Sequence, residues 1–338
     1  MTLTLADIFA ARRRIAGVAA VTPLVPSPFM QQRTGHDFLL KLETTQPIGA
    51  FKLRGAANAV LQQPEGTRDG TRGVTCCSTG NHGRGVAYAA RARGLRAVVC
   101  MSSLVPQTKI DGIEALGAEV RIVGRSQDDA QRECLRLVAD EGLTEISPFD
   151  DPAVVAGQGT IGLELSEQRP DLAAILVPLS GGGLAAGIAL AAKAINPDLR
   201  VIGITMDRGA AMHASIRAGH PVEVEEVASL ADSLGGGIGL DNRLTFALCR
   251  DLLDATVLVT EAEIYRAMQT LYYEDRIVCE GASAVGHAAI LSGKWSPPGP
   301  TATIISGRNL DMTLHADIMQ GRDVTLGDLA IGGQPYAA

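Results

Sequence analysis

No apolar run in the chain reaches the length needed to cross a bilayer, so a membrane-embedded protein is not expected. The first residues also lack the unbroken apolar core of a signal peptide. Thr4 stands three residues before Asp7 and predicts a capped helix over Leu5–Ile15, so the expected location is cytoplasmic. Positive charge is scarce as well: 30 basic against 37 acidic residues leave a net charge of −7, which excludes an electrostatic nucleic-acid binder and points to small-molecule partners. The six cysteines (Cys76, Cys77, Cys100, Cys134, Cys249 and Cys279) lie mostly in apolar runs without zinc-type spacing. Cys76 and Cys77 are the one close pair, and neighbours on a strand face opposite ways, so they do not share a metal. Long linkers and low-complexity tracts are missing too. What remains is 338 residues with 46% hydrophobic content, enough for two domains with substantial cores.

Short β-branched runs alternate with helical patterns. GVTCCS precedes a helix over 83–93, RAVVCM one over 106–116, and AEVRIV one over 128–140. A helix over 152–167 then leads to AAILVPL, a helix over 184–195, and RVIGITM. Further on, Thr260 and Glu263 form a capping-box pattern after TVLV, and a final strand, TATIIS, runs into GRNLDM. This βαβ rhythm predicts an α/β fold with right-handed crossovers and ligand sites at the carboxyl ends of parallel strands. The tail after Asp317 is polar and too short for a regulatory domain.

Four stretches at those strand ends carry possible chemistry. In GAFKLRGA, Lys52 stands between Phe51 and Leu53. Its stem can pack on Phe51 while its head reaches water, with Arg54 facing a carboxylate; alternatively desolvation lowers its pKa from about 10.4 until the amine can attack a carbonyl and form a Schiff base. SGGGLAAG (180–187) leaves amide N–H groups bare at a helix start, where a phosphate is favoured. The same stretch also fits a plain tight turn, or G-x-G-x-x-A through Gly181, Gly183 and Ala186, with Asp207 as the ribose acid of an NAD-dependent oxidoreductase. CSTGNHGRG (77–85) offers Ser78, Thr79, Asn81 and His82 to a carboxylate, or simply caps a helix with Ser78 or Thr79. In IISGRNLD, Ser306 either caps the next helix or gives its hydroxyl to a ligand's ring nitrogen.

Taken in order, GAFKLRGAANAV, STGNHGRGVAYAA, PFDDPAVVAGQGTIGLEL, VPLSGGGLAAG, VCEGASAVGHAAIL and ISGRNLD resemble the threonine/serine dehydratase branch of the type II pyridoxal-phosphate enzymes, over most of the chain. Residues 233–291 are most similar to the hydroxyectoine-utilisation dehydratases. The resemblance implies two doubly wound open-sheet domains of the tryptophan synthase β-like fold with pyridoxal 5′-phosphate in the cleft between them. Residues 1–73 and 149–338 would form the large domain, and 74–148 a small mobile domain closing on the substrate; relatives are commonly homodimers. It implies that Lys52 holds the cofactor covalently and later moves the substrate's Cα proton, with Phe51 against the ring. Ser180, Gly181, Gly182, Gly183 and Leu184 would hold the phosphate. Asn81 would meet the phenolic oxygen and Ser306 the ring nitrogen, which stays unprotonated and so favours elimination over transamination. Ser78, Thr79 and His82 would take the substrate carboxylate. The implied reaction removes water from a β-hydroxy-α-amino acid and ends in a 2-oxo acid and ammonia.

Several positions depart from the family pattern. Thr79 stands where relatives have Ala or Ser, which leaves amino-acid racemase activity open through its hydroxyl. Ala231-Asp232-Ser233 replaces the usual Ala-Asp-Gly near the β-substituent. Thr205 and Met206 stand where metal-binding relatives carry an acid, so no divalent metal is expected. Arg136 and Glu280 fall where relatives have a charged pair near the cofactor, although a solvated face is equally open for Arg136. A cysteine-synthase-like β-replacement enzyme would use the same lysine and glycine loop.

Overall fold

A computed structural model describes residues 3–64, 73–78, 80–105 and 107–337. Its strands in chain order are β1 (Leu24–Pro26), β2 (Phe38–Leu42), β3 (Gly73–Cys77), β4 (Arg96–Met101), β5 (Glu119–Ile122), β6 (Thr144–Glu145), β7 (Ala174–Pro178), β8 (Arg200–Met206), β9 (Ala255–Val259), β10 (Thr301–Ile305), β11 (Val324–Leu326) and β12 (Leu329–Ile331). Six of them form one sheet in the order β1-β2-β10-β7-β8-β9, and four form a second in the order β5-β4-β3-β6. Every pairing in the smaller sheet is parallel, and in the larger one only β1 runs antiparallel to β2. A parallel strand covered on both faces reads as a continuous apolar run. β3, β7 and β10 are accordingly buried at every residue, whereas β5, at an edge, exposes three of its four.

The expected α/β class is present, non-consecutive parallel strands are joined by crossovers, and the helix ends are set by local chemistry. Thr4 and Asp7 close a capping box on Leu5–Ile15, and Thr260 and Glu263 close another on Glu261–Tyr273. The helix expected over 83–93 starts two residues earlier, as Asn81–Arg93, because Gly80 rather than Ser78 is its N-cap. The next helix is Gln107–Glu114; Pro106, where it was expected to begin, lies outside the described residues. The three-residue β1, ended by Pro26, and the short β11–β12 hairpin are too brief to register as periodic pattern. Among the described residues no helix is long and apolar enough to cross a membrane.

Glycines bring the site-bearing helices together. A Cβ on Gly157, in the helix Pro152–Gln168, would sit 2.4 Å from the Arg54 carbonyl oxygen, and one on Gly187 would sit 2.5 Å from that of Val155. The helix Lys52–Val60 and the helix Gly183–Ile195 therefore both press backbone-close on Pro152–Gln168, which fixes the lysine and the glycine loop on one scaffold.

Candidate active site

Lys52 opens the helix Lys52–Val60, whose N-cap residue Phe51 offers no side-chain cap. The Lys52 ammonium donates to the Pro148 carbonyl at 2.7 Å and lies 5.4 Å from the centre of the Phe51 ring. Burial lowers its pKa to about 8. Lys52 is half-buried, and its amine is turned onto a carbonyl, which accepts one hydrogen bond but supplies no compensating charge.

The segment holding that carbonyl ties the site together. Next to Pro148, the Phe149 ring packs on the glycine loop so closely that a Cβ on Gly181 would lie 2.4 Å from it. Asp150 then accepts from the backbone N–H groups of Leu244 and Thr245, and Asp151 caps Pro152–Gln168. The loop itself turns through Gly182 in the left-handed region, φ +89°, and starts the helix Gly183–Ile195 without any side-chain cap. Its first-turn amides are thus directed at whatever anion sits there.

Ser306, expected either as a helix cap or as a ligand for a ring nitrogen, caps nothing. Asp311 caps the following helix, Met312–Met319. Ser306 directly follows β10, its carbonyl accepts from the Phe51 N–H at 2.9 Å, and its hydroxyl lies 3.1 Å from that of Ser283. Lys52, the glycine loop and Ser306 are in this way joined through Phe51, Pro148 and Phe149.

On the side of the smaller sheet, Asn81 begins the helix Asn81–Arg93. Its side-chain amide donates to both carboxylate oxygens of Glu280 at 3.0 and 3.1 Å and accepts from Asn309 at 2.6 Å. Arg84 reaches the same Asn309 at 3.2 Å, so a polar chain crosses the cleft. Burial raises Glu280 to about 7, against the bonds from Asn81, Asn309 and Ser233 that pull it down. His82 is buried, and its Nε2 lies 2.8 Å from the Ile146 carbonyl. A carbonyl only accepts, so Nε2 carries the hydrogen and the orphaned Nδ1 is bare. Burial, with the nearby Lys52 charge, lowers this imidazole to about 3. Ser78 follows β3 at the edge of the same cleft, and Thr79 lies outside the described residues.

Of the two readings open for Arg136, the structure shows the solvated face. Arg136 sits on the exposed face of the helix Gln127–Glu141 and binds Glu133 and Asp140 of its own helix, while Glu280 is buried in the cleft with Asn81 and Asn309. The spacing of three and four residues along one helix outcompetes a distant partner. Asn309, Pro148 and Phe149 are the contributors that the sequence left unassigned; the first stood inside ISGRNLD, the others inside PFDDP. Among the described residues no group of three or more His, Cys, Asp or Glu side chains could hold a metal.

Residues 15–307 match the family model described as "Pyridoxal-phosphate dependent enzyme". A Sinorhizobium fredii protein, named only provisionally as a threonine dehydratase, is 56% identical over 320 residues, covering 94% of this chain and 96% of its own. The processed form of threonine deaminase isoform 2 from Solanum lycopersicum is 35% identical with a TM-score of 0.86, covering 94% of this chain and 86% of that one. Maize serine racemase is 31% identical with a TM-score of 0.87, covering 94% and 97%.

Proposed function

Because the chain belongs to the pyridoxal-phosphate dependent enzyme family, we propose that it eliminates water from a threonine- or serine-like β-hydroxy-α-amino acid, giving a 2-oxo acid and ammonia. It is a lyase that uses pyridoxal 5′-phosphate. The residues present fit that cofactor: an amine of lowered pKa for the aldehyde, uncapped helix amides for the phosphate, and a strand-end hydroxyl for the ring nitrogen. When bound, the cofactor supplies an electron-withdrawing ring conjugated to the substrate's Cα.

The observation that carries the proposal is the Lys52 amine, lowered to about 8 and set between Phe51 and the Pro148 carbonyl. Once free, an amine of that pKa takes a proton from Cα near neutral pH, where an ordinary lysine is almost wholly protonated. We assign Gly181, Gly182, Gly183 and Leu184, with Ser180, to the phosphate, Ser306 to the ring nitrogen, and Asn81 to the phenolic oxygen. Ser78, Thr79 and His82, at the start of the helix Asn81–Arg93, receive the substrate carboxylate, and the body of residues 74–148 closes over it to exclude water. A cytoplasmic setting and a homodimeric assembly complete the reading we propose.

The lowered amine has a direct pH consequence. Below pH 8 the unprotonated fraction rises about tenfold per pH unit, so the rate at which added pyridoxal 5′-phosphate attaches to cofactor-free protein should rise likewise and level off above 8. Stopped-flow absorbance measures it, and levelling only near pH 10 would mark an ordinary lysine.

The substrate test is ammonia release from threonine, serine, 3-hydroxyaspartate and 3-hydroxy-2,4-diaminobutyrate side by side. The last belongs in the panel because residues 233–291 resemble hydroxyectoine-utilisation dehydratases, and opening the hydroxyectoine ring gives such an amino acid. We expect strong preference for one of the four. Negligible turnover of all of them, with the cofactor bound, would overturn the dehydratase assignment.

A further inference from the structure

Ser283 stands in the first turn of the helix Gly281–Leu291 and is wholly buried, yet the reaction proposed above leaves it without a task. Its Oγ lies 3.1 Å from Ser306 Oγ, 2.9 Å from the Gly307 carbonyl oxygen and 2.9 Å from the Gly307 nitrogen. A hydroxyl has one hydrogen to donate and two lone pairs to accept with. The Gly307 N–H uses one lone pair. The Gly307 carbonyl can only accept, so while the Ser283 hydrogen points at it, the contact between the two hydroxyls requires Ser306 to donate to Ser283. That arrangement ties up the Ser306 hydrogen.

A second arrangement is open to the same atoms. The Gly307 carbonyl also accepts from the Glu280 N–H at 3.0 Å, so the Ser283 hydrogen can leave it without orphaning a buried oxygen. It then points at Ser306, whose own hydrogen is released. Among the described residues the Ser306 hydroxyl has no other side-chain partner. Its backbone is meanwhile held by the Phe51 N–H on its carbonyl and by the bridge between Ala50 and Gly307. Only the hydroxyl hydrogens are free to move, and both serines are nearly or fully shielded from water that could compete for them.

We propose that Ser283 is a positioning residue that donates to Ser306 and so frees and aims the Ser306 hydroxyl at the cofactor's ring nitrogen. This rests on the assignment of Ser306 to that nitrogen. A hydroxyl that accepts one hydrogen bond donates the next more strongly, so the pair holds an unprotonated nitrogen better than Ser306 alone.

The test compares holoenzymes of Ser283→Ala, Ser306→Ala and the double variant with the unaltered protein. It reads the position and height of the visible band of the bound cofactor, and the cofactor retained after dilution. Ser283→Ala should shift the band and weaken retention about tenfold, and should have no further effect in the Ser306→Ala background. An equal effect with and without the Ser306 hydroxyl would show a merely structural serine and overturn the proposal. So would a normal band and retention in Ser283→Ala while Ser306→Ala changes both. If Ser306→Ala itself changes neither, the assignment of Ser306 fails and the proposal falls with it. Should Ser283→Ala not fold, Ser283→Cys, similar in size but a weak donor, takes its place in the same comparison.

Discussion

Lys52→Ala is expected to lower ammonia release by about 10⁴-fold or more while leaving the fold intact. On the role proposed for Lys52, two losses combine in the one substitution: the covalent hold on the cofactor and the amine that takes the Cα proton. The fold should tolerate it because burial, with no opposing charge, already disfavours the ammonium there, and only its bond to the Pro148 carbonyl is given up. The thermal midpoint should stay within a few degrees of the unaltered protein's. Lys52→Arg makes the argument sharper. A guanidinium cannot deprotonate near neutral pH, so it should be as inactive as alanine although it keeps the positive charge. Borohydride should fix the cofactor to the unaltered protein at Lys52 and to neither variant. Turnover within tenfold of normal in Lys52→Ala would mean that another group removes the proton.

Arg54→Met should produce the largest loss of stability, about 3–5 kcal/mol, read as a fall of roughly 5 °C in the thermal midpoint. Arg54 lies two residues beyond Lys52 and is almost completely buried, and all of its guanidinium nitrogens are engaged. It binds Glu43 through Nε and Nη2 at 2.8 Å each, and Glu164 through Nη1 at 2.5 Å and Nη2 at 2.9 Å. Lys41 completes the group, donating to Glu164, to the Thr22 carbonyl and to Gln168. Two cations and two carboxylates thus cancel inside the protein. Burial alone would raise Glu164, but Arg54 and Lys41 hold it below the ordinary value. Such a network adds little stability over an apolar equivalent, but removing one member strands the others. In Arg54→Met the two carboxylates face a single lysine, and one of them must take up a proton or stay charged and unpaired. The penalty should therefore shrink as the pH falls toward 5, because protonation then costs less. A midpoint within 2 °C of normal at pH 8 would show that the network holds nothing in place.

The network also bears on activity. It clamps the helix Lys52–Val60 to Glu43, just after β2, and to Glu164 in the helix Pro152–Gln168, on which the glycine-loop helix is packed as well. Lys52 and the glycine loop thereby share one rigid support, as a site requires when its parts come from distant points in the chain.

Much of this could be read from the residues in order. The strands β3, β4, β5, β7, β8, β9 and β10, the capping boxes at Thr4 and Thr260, and the uncapped glycine start of Gly183–Ile195 follow from spacings of a few residues, and the proposal of Lys52 as the reactive amine from several motifs read together. Arg136 is the instructive case. The sequence left it open between the cleft and a solvated face, and carboxylates three and four residues away on its own helix hold it at the surface.

What the chain order could not disclose are bonds whose partners lie far apart in it: Lys52 to Pro148 across 96 residues, Asn81 to Glu280 across 199, and Asn309 to Asn81 across 228. Ser283 and Ser306 are 23 residues apart and meet only because the helix Gly281–Leu291 packs at the end of β10. Local sequence chooses helix or strand through caps and periodicity, which act within a turn or two, and it names the chemistry each loop can carry. The direction of a side chain, the depth of its burial and so its pKa depend on how those elements pack. Eight residues of sequence left Lys52 open between a lysine reaching for water and a reactive amine, and only the companion motifs singled it out; that burial lowers it to about 8 against a backbone carbonyl was decided only when the rest of the chain closed around it.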